Sequence, residues 1–273
     1  MPMKSEPDTL RRPLAYREEA FLQSPDSRPL RILSEYLWPL SHFHEEKIQD
    51  TIVFFGSARI EEEGPLARYY QEARELARLV TEWSQSVSHA PKNSEPHHRF
   101  VVCTGGGPGI MEAANRGASE AGGKTIGLNI GLPFEQRPNP YITPELSFEF
   151  HYFFMRKFWF AYLAKALVVF PGGFGTLDEL TEILTLAQTK KLESKILIVL
   201  YGSDFWNEVL SFPALVKYGV IAEEDLNLFR VADTPQAALQ ILTEGLTRYY
   251  LEPERDLAYP IEEAPEIART RTP

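Results

Sequence analysis

Residues able to do chemistry cluster in this 273-residue chain just after short apolar runs. Ala166 to Phe170 is such a run; it stops at Pro171 and continues as Gly172-Gly173-Phe174-Gly175-Thr176-Leu177-Asp178-Glu179. Glycines there supply turn conformations closed to other residues and let a ligand approach the backbone. A helix opening on Thr176 aims its first free N–H groups back at the turn, where they and the helix dipole favour an anion, most simply a phosphate. Acid therefore sits beside an anion site. Thr176-x-x-Glu179 also matches a capping box, which explains the carboxylates without catalysis. From this segment alone both readings of Glu179 stay open.

A second strand-like run, Phe100 to Thr104, leads into Gly105-Gly106-Gly107-Pro108-Gly109-Ile110-Met111-Glu112. Pro108 suits a first helical position, and the triple glycine before it makes another loop of phosphate-binding type at a helix N-terminus. Each loop alone could simply close a tight turn, but two in one sheet favour a nucleotide-like ligand. A third corner, Gly56-Ser57-Ala58-Arg59, follows the strand Thr51 to Phe55. Neither glycine loop contains the G-K-[ST] of a Walker A sequence, and neither is a G-x-G-x-x-G with an acid closing the next strand. NTP hydrolysis and hydride transfer lose ground accordingly. Arg156 and Lys157 stand early in the aromatic helical segment Phe153 to Lys165. A cation in such company either snorkels outward or is committed to an anion; Arg156 is the candidate for a partner and Lys157 for the surface.

The elements that must hold these residues alternate between strand and helix. Strands are expected at 51–55, 100–104, 125–130, 146–152, 166–170, 195–200 and 228–231, and helices at 65–83, from Pro108, at 153–165, from Thr176, and at 204–218 and 234–249. In the Thr176 helix Leu177, Leu180, Leu184 and Ala187 should face inward, leaving Asp178, Glu179 and Glu182 outside. This pattern predicts an α/β fold, a Rossmann-like, open and mostly parallel sheet with helices on both faces and ligands at the strands' carboxyl ends. Ahead of it, residues 1–28 read as a polar leader and 29–50 as an accessory helical segment whose spacing crosses Pro39, with a kink or break expected there. The domain proper should run over 51–250, and 251–273 reads as a tail. The loop 134–141, with Glu135 and Arg137, is expected as a rim or lid, and 84–98, ending in His97-His98, as a surface loop.

A net charge of -10 argues against non-specific affinity for nucleic acid or an anionic membrane. Cys103, the single cysteine, lies in an apolar run and reads as packing; it suits a reducing cytoplasm. No apolar run is long enough to span a bilayer and none has the pattern of a secretory signal, so a cytoplasmic location is expected.

Gly105-Gly-Gly-Pro-Gly-Ile-Met-Glu112, Arg156-Lys157 and Pro171-Gly-Gly-Phe-Gly-Thr-Leu-Asp-Glu179 resemble the signature of the LONELY GUY (LOG) family, over about Thr51 to Tyr249. Its characterised members are cytokinin riboside 5'-monophosphate phosphoribohydrolases and related nucleotide 5'-monophosphate nucleosidases, often mislabelled lysine decarboxylases. The resemblance implies a Rossmann-like fold, a homodimer or larger assembly, and no metal or redox cofactor. It implies that Gly172, Gly173, Gly175 and Thr176 hold a 5'-phosphate, with Gly56, Ser57, Gly105, Gly106, Gly107 and Gly109 lining the same site, and that Arg156 and Glu179 are the catalytic pair at the ribose. Asp178 keeps its surface reading. AMP and cytokinin riboside monophosphates are the expected substrates. Smaller members read Met-His-x-Arg-Lys where this chain has Phe153-Phe154-Met155-Arg156-Lys157, so Phe154 replaces a histidine and predicts a different base preference or pocket shape. The alternative is a non-catalytic carrier of a phosphorylated nucleotide or pterin cofactor on the same scaffold. Amino-acid decarboxylation has no identifiable cofactor-anchoring lysine behind it.

Overall fold

Short runs with no polar side chain to spare must be covered on both faces, and the architecture follows from that. In the computed structural model, which describes residues 13–88, 97–131, 137–192 and 195–252, seven strands form one parallel sheet. They are β1 (Thr51–Phe55), β2 (Val101–Thr104), β3 (Thr125–Ile130), β4 (Ser147–Phe150), β5 (Ala164–Val169), β6 (Leu197–Tyr201) and β7 (Phe229–Ala232), in the order β4-β3-β2-β1-β5-β6-β7. The α/β, Rossmann-like expectation is met, and every pairing is parallel. The chain winds outward from β1 to β4, returns to β5, then winds outward the other way. The reversal between β1 and β5 opens a crevice at their carboxyl ends.

The helices are α1 (Glu19–Leu22), α2 (Arg28–Glu45), α3 (Ala67–Val87), α4 (Ile110–Glu120), α5 (Phe153–Tyr162), α6 (Phe174–Gln188), α7 (Ser203–Val209), α8 (Phe212–Lys217) and α9 (Pro235–Leu246). Successive strand residues point to opposite faces. Val53 and Phe55 of β1 therefore join a core with Phe43, Trp159, Phe160, Leu180 and Ile183 from α2, α5 and α6. Ile52 and Phe54 join the other core, with Leu76, Ala77, Ile110 and Ala114 from α3 and α4 and Leu242 from α9. Cys103 is buried in β2 and desolvation pushes its thiol pKa far up, so it packs and does not react.

Several boundaries differ from the sequence reading for physical reasons. Residues 204–218 form two helices, split at Leu210 and Ser211; the Ser211 hydroxyl accepts from the Ala214 N–H and restarts the chain with Pro213 in the first turn. The helix expected to begin at Pro108 begins at Ile110, with Gly109 as its cap. Pro39 does not break α2, which is continuous from Arg28 to Glu45. Part of the expected leader, residues 13–27, makes short helical turns ahead of α2. Of the apolar residues whose spacing predicts the accessory helix, Leu30, Leu33, Leu37, Leu40 and Phe43, the last two pack inward as expected, joined by Ile32 and Tyr36, while Leu30, Leu33 and Leu37 are about half exposed. The helix from Ala67 runs on through Val87 into the expected 84–98 loop. Residues 89–96, 132–136 with Glu135, and the 253–273 part of the tail lie outside the described residues. Among the described residues no helix is long and apolar enough to cross a membrane.

Helices α3 and α4 meet at a glycine: a Cβ on Gly117 of α4 would lie 1.9 Å from the Arg74 carbonyl oxygen of α3. In an exposed helix Gly→Ala gains roughly 1 kcal/mol. Here Gly117→Ala forces α3 and α4 apart and is expected to lose about 1–3 kcal/mol of stability instead, measurable as a lower urea midpoint with an unchanged slope.

Candidate active site

Three loops meet in the β1/β5 crevice, and Ser57 is where they are tied. Its N–H donates to the Pro171 carbonyl at 3.0 Å and its own carbonyl accepts from the Ile110 N–H at 3.1 Å. Its hydroxyl oxygen accepts from the Arg59 N–H. Its backbone is a brace, so a phosphate could use only the hydroxyl. Gly109 (φ 72°) passes so close that a Cβ would lie 2.4 Å from the Ser57 carbonyl oxygen, and a Cβ on Gly56 would strike Ile110.

The triple-glycine loop is held from below by a buried polar network. Gly106 (φ 73°) donates its N–H to the Thr104 hydroxyl, which donates to the Asn115 side-chain oxygen. Asn139 donates from its side-chain amide to that same oxygen and to the carbonyls of Gly106 and Gly107, and its backbone N–H also bonds Gly106. Gly105 flanks Met111, where a Cβ would crowd the sulfur. Asn139 was missed by the sequence reading, which took this proline-rich loop as a rim or lid and singled out only its charges. Its only signal was a small amide between two prolines, and the residue is buried.

The helix after β5 starts earlier than expected. Gly173 is the cap of α6 and Phe174 its first residue, so Thr176 and Glu179 fall inside the helix and no side chain caps it. That removes the capping-box reading of Glu179. Thr176 folds over Gly172, whose Cβ would lie 2.1 Å from the Thr176 hydroxyl oxygen, while Gly173 and Gly175 have nothing within 4 Å of a Cβ position. The cradle is open above those two glycines. Thr176 and Glu179, three apart, share one helix face, and both are buried. The expectation that Glu179 faces outward therefore fails; Asp178 is exposed as expected.

Opposite Glu179 stands Arg156 on α5. Arg156 Nη2 is 3.5 Å from Glu179 Oε1, and the two side chains are only 15% and 7% exposed. The guanidinium lies over the rings of Phe153 and Phe160, and its Nε is buried without a hydrogen-bond partner. Burial pushes the Glu179 carboxyl up to about 7 against the pull of Arg156 and Lys157, and it lowers the Arg156 pKa against the pull of Glu179. Both groups are thus short of compensation, a state expected where a site awaits a polar ligand. Lys157 corrects its surface assignment: it bonds Asp178 at 2.7 Å and Glu182 at 2.9 Å, tying α5 to α6 beside the pair.

Fold and site together define a Rossmann-like protein with two glycine loops and a buried arginine–glutamate pair at one sheet edge. A family model described as "possible lysine decarboxylase" matches residues 111–242. The probable cytokinin riboside 5'-monophosphate phosphoribohydrolase LOG4 of Oryza sativa subsp. japonica is 30% identical over 148 residues, spanning 53% of this chain and 63% of the relative. The cytokinin riboside 5'-monophosphate phosphoribohydrolase LOG of the same plant is 28% identical over 200 residues, spanning 72% and 74%. The X-ray structure of TM1055, a structural genomics target, superposes with a TM-score of 0.50 at 20% identity, covering 71% of this chain and 99% of that one, and shows the shared fold. The chain is thus similar, over part of its length, to proteins of the LONELY GUY family, and it spans less than two thirds of the first of these relatives.

A carboxyl whose pKa is raised from about 4.5 in the unfolded chain to about 7 in the fold stabilises the protein fully below pH 4.5, and that contribution is lost as the pH rises through 7. Between pH 5 and 8 wild type should therefore lose up to about 3 kcal/mol through this group. Glu179→Gln should flatten that part of the profile, read from urea unfolding of both proteins at the two pH values.

Proposed function

We propose that this chain hydrolyses the N-glycosidic bond of nucleoside 5'-monophosphates, AMP and cytokinin riboside monophosphates among them, to free base and ribose 5-phosphate. The observation that carries this reading is the 3.5 Å Arg156–Glu179 pair, buried at the end of an uncapped glycine cradle. Gly172, Gly173, Gly175 and the first turn of α6 would take the phosphate, whose binding fixes the sugar and lowers the entropic cost of the chemical step. The C1'–N bond breaks with its electron pair leaving on the base, and the ribose gains oxocarbenium character that a carboxylate stabilises. Water then adds its oxygen to C1', and its proton passes to Glu179 or to the leaving base. A carboxyl titrating near 7 serves both tasks near neutral pH. Arg156 would bind ribose or phosphate oxygens and favour the charged form of Glu179.

The test is to incubate the protein with a panel of purine and pyrimidine monophosphates and look for free base and ribose 5-phosphate. Glu179→Gln is expected to lower kcat by about 10²–10⁴. Bound nucleotide without turnover in wild type would favour the carrier reading, and an unaffected Glu179→Gln would place the chemistry elsewhere.

A homodimer belongs to the same reading. Between α2 and α5 lies an open, apolar groove of about 840 Å³, floored by Ile32, Tyr36 and Met155. Leu33, Phe154 and Phe158 line it as well, and with Leu30 and Leu37 of α2 and Tyr162 of α5 they are between about a third and a half exposed. These six side chains leave on the order of 600 Å² of apolar surface, near the upper end for monomers and close to what one partner buries in a stable dimer. Ridges beside a groove are self-complementary across a two-fold axis. Light scattering should report a dimer for wild type and a monomer for Leu33→Glu/Phe158→Glu.

A further inference from the structure

Helix α2 lies outside the segment that the family model matches, yet it holds α5 by three hydrogen bonds centred on one residue. Glu35 accepts the N–H of His151 on one carboxylate oxygen, at 2.8 Å, and the N–H of Tyr152 on the other, at 3.2 Å. Tyr152 is the cap of α5 and its own side chain does not cap. A carboxylate at this place also complements the positive end of the α5 dipole.

The third bond explains Pro39. A helical residue donates its N–H to the carbonyl four positions earlier, and proline has none to give. The carbonyl left over is that of Glu35, and the indole N–H of Trp159, on α5 and buried, donates to it at 2.9 Å. Proline inside α2 therefore exposes an acceptor that only the second turn of α5 fills, while the Glu35 side chain secures the first. Tyr36 and Phe43 of α2 pack on the Trp159 ring from either side of that bond.

We propose that Glu35 is a positioning residue for the Arg156–Glu179 pair: by capping α5 from another helix it fixes the turn that carries Arg156. Resting on the reading of Arg156 and Glu179 as the catalytic pair, the proposal assigns the accessory helix a part in the site. The phosphate cradle belongs to β5 and α6, so loss of Glu35 should reach the chemical step and spare binding.

The experiment compares Glu35→Ala, Glu35→Gln and wild type by steady-state AMP hydrolysis and by amide hydrogen exchange across residues 151–160. Glu35→Ala is expected to lower kcat at least tenfold with KM changed less than twofold, and to raise exchange at the start of α5 at least tenfold. Glu35→Gln, which keeps one acceptor, should fall between. A purely structural role would instead lower the amount of folded, active protein and leave kcat per active site alone, as active-site titration with ribose 5-phosphate would show. Wild-type kcat in Glu35→Ala overturns the proposal. Should Glu35→Ala fail to fold, wild-type kcat and exchange in Glu35→Gln overturn it. Should wild type itself show no hydrolysis, the functional reading fails, and the exchange at 151–160 still decides whether Glu35 holds the turn.

Discussion

An arginine and a glutamate facing each other with their side chains largely buried, 3.5 Å apart and without a well-formed hydrogen bond, make an expensive arrangement. Burial disfavours the charge on each, and the attraction between them offsets this only in part. Such a pair persists only if its surroundings leave it no way to relax. The rest of the structure can be understood as that restraint: two helices, each entering from one side of β5, pinned to each other by Lys157 through Asp178 and Glu182. The aromatic faces of Phe153 and Phe160 give the guanidinium a favourable bed without satisfying its Nε.

The glycine loops are restrained by a different chemistry. Around Gly106 and Gly107 the work is done by side-chain amides: Asn139 and Asn115, with Thr104, bond the loop's backbone groups from the interior. Around Gly172 a single threonine hydroxyl closes over the backbone, and the next two glycines are left bare. Ser57 joins the two regions by its main chain. One loop is rigid because it is filled from beneath, and the other is open because nothing fills it from above.

Much of this was legible in the sequence because it depends on local pattern. Runs such as Ile52 to Phe55 and Leu167 to Val169 identify buried parallel strands, and the two glycine clusters fall where those strands end. Arg156 was separable from Lys157 as the cation with a buried partner, although Lys157 also proved to be paired. What could not be read depends on which residue caps a helix and on contacts made across the chain. The start of α6 at Phe174 instead of Thr176 turns Glu179 from a capping acid into an inward-facing one. Asn139 lies 33 residues from the Gly106 carbonyl it bonds, and no periodicity encodes that. Pro39 misleads for the same reason: the donor that keeps α2 continuous sits on another helix.

That proline also gives the α2–α5 contact a single register. Every other carbonyl in the middle of α2 has a donor four residues on, so sliding the helix by one turn would leave the indole without its acceptor and strand a bare carbonyl in the core. Shear between these two helices, the usual small motion of packed α-elements, would break that bond. Motions that keep the bond intact are those of the α6 side, or of α2 and α5 swinging as one rigid flap.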